Sequence, residues 1–97
     1  MWDVIINAIL VAFGTAVVVA LTIEYLDYQK AKDLALKESR KNAQKVIVKA
    51  IVDNIRIGNV STVDIGLYDS QNTKQINLEL ETKNLSSDIY KGQILFN

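Results

Sequence analysis

The run VIINAILVAFGTAVVVALTI, residues 4–23, decides how the rest of the chain is read. It carries no charge; twelve of its residues are strongly apolar, four are alanine and one is glycine. Asn7, Thr15 and Thr22 are its only polar members. As a helix rising about 1.5 Å per residue it would be about 30 Å long, the thickness of a bilayer's hydrocarbon core. Trp2 stands at one end and Tyr25 and Tyr28 at the other, placed as interfacial anchors. A 97-residue chain is too small to surround such a helix, so the run predicts a transmembrane span rather than a core helix. Met-Trp-Asp ahead of it lacks the positive charge of a signal peptide, so the span is expected to stay in the mature protein. Ala8, Ala12, Ala16 and Ala20 recur every four residues, a small-residue ridge against which another membrane helix could pack.

Outward from the run, charge is distributed unevenly although the net charge is zero. Residues 1–29 carry −3, residues 30–56 carry +5 and residues 57–97 carry −2. Lys30, Lys32, Lys37, Arg40, Lys41 and Lys45 follow the span closely, whereas no Lys or Arg precedes it. The positive-inside rule then puts the N-terminus outside and the C-terminal domain on the cytoplasmic side. Residues 24–44 lack Gly and Pro and favour helix formers, which predicts a basic helical stalk over 30–44 continuing from the span region 1–29. That stalk could touch anionic headgroups; nucleic acid is disfavoured as a partner because no aromatic residue interleaves with the basic ones.

Residues 45–97 read as a small β domain. KVIVKAIVDNIRI is rich in Val and Ile and fits strand, with continued helix as the alternative over 45–57. Gly58-Asn59 is a hairpin signal; Val63, Ile65 and Leu67, then Ile76, Leu78 and Leu80, alternate with polar residues. Residues 69–74 read as a turn, 83–87 as a loop and 89–96 as a last strand interrupted at Gly92. The expected fold is therefore α+β: a transmembrane helix, a helical stalk, and an antiparallel sheet or sandwich of four to five strands. Such a domain is marginal alone, which points to other copies of the chain or a larger structural, capsid-like protein as partner.

Chemical motifs are scarce. The chain has no His and no Cys, which excludes their nucleophilic, general-base and usual zinc roles. No phosphate-binding glycine loop or calcium loop is present, so an enzyme, a cofactor and a metal are not expected. Glu79 and Glu81 share the polar face of one strand, where an ordinary solvated surface is the expected reading. Two glycosylation sequons begin at Asn59 and Asn84, close to the chance frequency for this composition.

The single span Val4–Ile23, the small β domain and the orientation together resemble the minor membrane proteins of icosahedral phages with an internal lipid membrane. The resemblance lies in layout and implies a structural single-pass protein that links a viral internal membrane to its capsid shell. The alternatives are a pilin-like filament subunit and a holin-like membrane oligomer. Against the pilin likeness, no basic-Gly processing site precedes the apolar run, and Ala8 stands where that family has Glu.

Overall fold

Strands, not a membrane helix, occupy the described parts of the apolar run. The computed structural model describes residues 4–6, 11–13, 16–41 and 46–97, the first two segments by backbone alone. Within them the run forms β1 (Val4–Ile6), β2 (Val11–Phe13) and β3 (Ala16–Ile23). Among the described residues no helix is long and apolar enough to cross a membrane. This overturns the transmembrane span, the single-pass character, and the orientation with the N-terminus outside and the C-terminal domain cytoplasmic. The physical reason is side-chain shape. Eleven of the twenty residues are β-branched, and such residues lose χ1 freedom in a helix but fit a pleated sheet. The run also looks like a span because β3 sits inside a sheet beside a parallel neighbour, where strands become apolar on both faces.

The expected helical stalk is corrected too. Residues Tyr28–Lys41 form one 14-residue helix, α1, which lies on the sheet rather than projecting from a membrane. Asp27 caps it, accepting a hydrogen bond from the Lys30 N–H at 2.8 Å, while Asp88 accepts from the Tyr28 N–H at 3.0 Å. Ala31, Ala35 and Glu38 recur at helical spacing and are buried. Because alanines make the contact, the buried stripe adds little to hydropathy and the segment reads as solvated.

The remaining strands are β4 (Lys49–Arg56), β5 (Ser61–Tyr68), β6 (Lys74–Thr82) and β7 (Ile94–Phe96). They join the first three in one mixed sheet of order β1-β3-β6-β5-β4-β7. β2 also pairs with β3, and Val18 pairs with both Val11 and Asn77, so β1 and β2 follow one another along the same outer edge of β3. β3 and β6 run parallel, with Val19 beside Leu78 and Leu21 beside Leu80. β4, β5 and β6 form an antiparallel meander, and β7 closes the far edge. Of the expected last strand, only Ile94–Phe96 is extended in a ladder; Tyr90–Gln93 is a tight turn in which Gly92 has φ of 87°.

Alternation defines two faces. Val19, Leu78, Ile65 and Val52 form one buried row across four strands, and Leu21, Leu80 and Val63 form the next. α1 covers this face, so the core lies between one helix and one sheet. Each fully buried Leu or Ile contributes roughly 1.5–3 kcal/mol relative to exposure. The opposite face is polar along β4, β5 and β6. Between β5 and β6 the chain turns at Asp69, whose carboxylate accepts from the N–H groups of Gln71 and Thr73 at 2.9 Å each. The Thr73 N–H, first among its hydrogen bonds, holds that carboxyl below its usual value despite the opposing desolvation.

Candidate functional site

The sequence-derived site residues scatter. Trp2, Ala8 and Lys45 lie outside the described residues, and Ala12 lies on β2. Ala16 and Ala20 share one face of β3, because a spacing of four is also two repeats of a strand. Tyr25 is half-exposed between β3 and α1, and Tyr28 opens the helix. Lys30, Lys32, Lys37, Arg40 and Lys41 all lie on α1, with Lys37, Arg40 and Lys41 exposed. Glu79 and Glu81 sit on the open sheet face, and among the described residues no acidic cluster is suited to a metal ion.

On that open face the charges are largely spent on one another. Arg56 bridges Asp64 at 3.0 Å and Glu79 at 3.4 Å. Asp53 accepts from the Tyr68 hydroxyl at 2.9 Å and pairs with Lys74 at 2.7 Å. Lys49 and Lys74 flank the Tyr68 ring, 5.4 and 6.0 Å from its centroid. Two register shifts create this knot: one at Asp53 in β4, the other beside Tyr68 where β5 meets β6. Burial, then the Asp53 hydrogen bond and charge, push the Tyr68 phenol up to about 12. A phenol so placed keeps its proton at neutral pH and works as a brace between strands.

A different region offers open space. A groove of about 570 Å³ lies where β4 ends, β5 begins and the β6–β7 connection passes. Ile55, Ile57, Leu85 and Ile89 supply its apolar walls, and Lys83 and Lys91 its charge. Ser61, Ser86 and Ser87 add hydroxyls, and among the described residues no acidic one lines it. Ile57 is 76% exposed, a strong exposure for an isoleucine beside a groove.

The groove's outer wall is tied down over most of its length. Leu26 bridges Leu85 as a short parallel pair: its N–H donates to the Asn84 carbonyl at 3.0 Å, and the Ser86 N–H donates to the Leu26 carbonyl at 2.8 Å. Thr82, fully buried, donates its hydroxyl to the Glu24 carbonyl at 3.2 Å. The Asn84 amide donates to that same carbonyl at 2.9 Å, so this sequon asparagine has a structural task. Buried Gln93 donates to the Asp88 carbonyl at 3.0 Å and fixes the Ile89–Lys91 stretch from behind. A wall held this way is preorganised, which lowers the ordering cost of binding.

Sequence reading assigned none of these lining residues to a site. Lys83 and Lys91 are separated from Ile55 and Ile57 by two strands, and only the sheet register brings them together. What the described residues define is a two-layer module, one helix on one mixed sheet, with a preformed apolar-basic groove at one end. The chain matches no family model, no curated protein and no solved structure.

Proposed function

We propose that this chain is a non-catalytic docking module that holds a segment of another protein within a larger assembly. The groove beside Ile57 carries the reading: apolar walls, two lysines and, among the described residues, no acid in its lining favour an apolar segment flanked by acidic residues. The pinned outer wall supports it, because a docking surface with fixed geometry binds at lower entropic cost. The open face favours catalysis less, since its charged groups are engaged with each other and its phenol is held protonated. Filament or pore assembly through a helix over residues 4–23 is disfavoured, as is a membrane anchor there, because the described residues of that segment lie in the sheet.

Site-specific photo-crosslinking in the cells that make the protein tests the reading. A benzophenone side chain at Ile57 should give an adduct of discrete mass, and one at Gln71, in the exposed turn between β5 and β6, should not. Lys83→Glu with Lys91→Glu should remove the adduct. Equal adducts from Ile57 and Gln71, or none from Ile57, would overturn the proposal.

A further inference from the structure

Beside the groove, the sheet edge is incomplete. β7 accompanies β4 only at its beginning, with Ala50 opposite Phe96 and Ile51 opposite Ile94. The Val52 N–H donates to the Gln93 carbonyl at 2.9 Å, and the Gly92 N–H donates to the Val52 carbonyl at 2.8 Å. There the accompanying chain turns away, through the tight turn closed by the Gln93 N–H on the Tyr90 carbonyl at 3.2 Å. β4 continues to Arg56, yet from Asp53 onward no described strand lies on its outer side. The edge that no described strand covers begins beside Lys91, and Ile55 and Ile57, which face the groove, belong to the same stretch.

We infer that the docked segment binds as an added β-strand along the outer edge of residues 53–57, with alternate side chains entering the groove. The inference rests on the docking reading above and adds the mode of binding and the partner's chemistry. An edge strand presents unpaired N–H and C=O groups that an extended chain completes. Successive side chains of a strand point to opposite faces, so every second residue of the partner meets Ile55, Ile57, Leu85 and Ile89. Those residues are apolar. At the ends of the same face the partner carries Asp or Glu, set against Lys83 and Lys91. Five residues of edge span about 17 Å, enough to pair the central five residues of such a segment with both apolar side chains, while each flanking acid stands one residue beyond an end of the edge. The partner is therefore an extended segment of the pattern acidic-x-apolar-x-apolar-x-acidic, not a helix and not a small ligand. The described residues leave room for it: β7 is three residues long against eight in β4.

A synthetic probe separates mode from site. The peptide acetyl-Glu-Thr-Val-Thr-Val-Thr-Glu-amide places both valines and both glutamates on one face of a strand. Titrated into the ¹⁵N-labelled full chain, it is expected to shift the backbone amides of residues 53–58 and of Lys83–Lys91. N-methylation of alternate peptide residues removes donors to the edge while keeping every side chain. It should weaken binding about tenfold or more, since about 1.4 kcal/mol is tenfold. Exchanging both glutamates for lysines should do the same. If the parent and its N-methylated form bind equally, with shifts confined to 83–91, strand addition is overturned and the docking groove stands. If the lysine peptide binds as well as the glutamate peptide, the charge assignment is wrong. If no amide in either stretch moves at millimolar peptide, both the mode and the groove are overturned.

Discussion

Replacing Gly66 with alanine should destabilise the fold through a side-chain knot rather than through the backbone. Gly66 lies mid-strand in β5. A Cβ added there runs into Asp53 Oδ2 and comes within 2.6 Å of Tyr68 Cε1 and 2.9 Å of its hydroxyl oxygen. Those atoms are the two ends of the 2.9 Å Tyr68–Asp53 hydrogen bond, and Asp53 is also held by Lys74 at 2.7 Å. To admit the methyl group, Tyr68 or Asp53 must swing away. A hydrogen bond to a charged group contributes about 1.5–3 kcal/mol, and this one is partly wet, so about 2 kcal/mol is the expected loss. Alanine returns roughly 0.5–1 kcal/mol by restricting the unfolded chain. The net cost is about 1–1.5 kcal/mol, which lowers Tm by roughly 4–12 °C in a domain of this size. Thermal and urea unfolding followed by circular dichroism would measure it. The decisive arm is the cycle with Tyr68→Ala: once the ring is gone Asp53 can turn into the space it leaves, with the flexible, partly exposed Lys74 chain following it, and Gly66→Ala should become neutral or mildly stabilising. A Tm unchanged or raised by Gly66→Ala in the otherwise native chain would refute the reasoning, as would an equal loss in both backgrounds.

Tyr68 is expected to ionise near pH 12, against 10 for an unperturbed phenol, in a spectrophotometric titration at high pH that Tyr68→Phe removes. Since the folded state holds that proton more tightly than the unfolded chain, the associated stability is whole below pH 10 and fades as pH rises from 10 to 12, which urea melts across that range would record. Gly92→Ala forces a side chain into φ of 87° with no atom nearby to clash, so the cost is conformational, about 1–2 kcal/mol, read as a Tm loss that Gly92→Asn partly recovers. Leu80→Ala, fully buried between β3 and β5, should cost about 2–5 kcal/mol in urea unfolding.

The strands that announced themselves in the sequence are those with one wet face. Ile76, Leu78 and Leu80 alternate with Asn77, Glu79 and Glu81 because α1 covers one side of β6 and nothing described covers the other, and β5 reads the same way. β3 gives no such signal. Val18 and Ala20, on the face away from the helix, are only half-buried, yet they are as apolar as Val19 and Leu21 on the covered face. Without alternation, length alone argued for a membrane helix. The β-branched residues, read as strand formers in KVIVKAIV, carried the same message in VIINAIL and TAVVVALTI. Glycine in the middle of the run, at Gly14, was a second signal for interruption. The groove and the Asp53–Tyr68–Lys74 knot were not legible at all. Both depend on which residue stands opposite which across the sheet, and two register shifts alter that pairing in ways no local pattern records.

The parallel pairing of β3 with β6 also sets a timetable. Val17 finds its partner in Ile76, about 60 residues downstream, whereas β4, β5 and β6 each pair with a neighbour a few residues away. During synthesis at roughly 5–20 residues per second, the β3 segment waits some 3–12 seconds before its partner strand exists. Throughout that interval an uncharged, β-branched stretch is available to other copies of itself. The hazard for this protein therefore falls before it folds. Slowing translation between residues 23 and 82 should increase the aggregated fraction of newly made chain, while the melting temperature of chain that does fold stays the same.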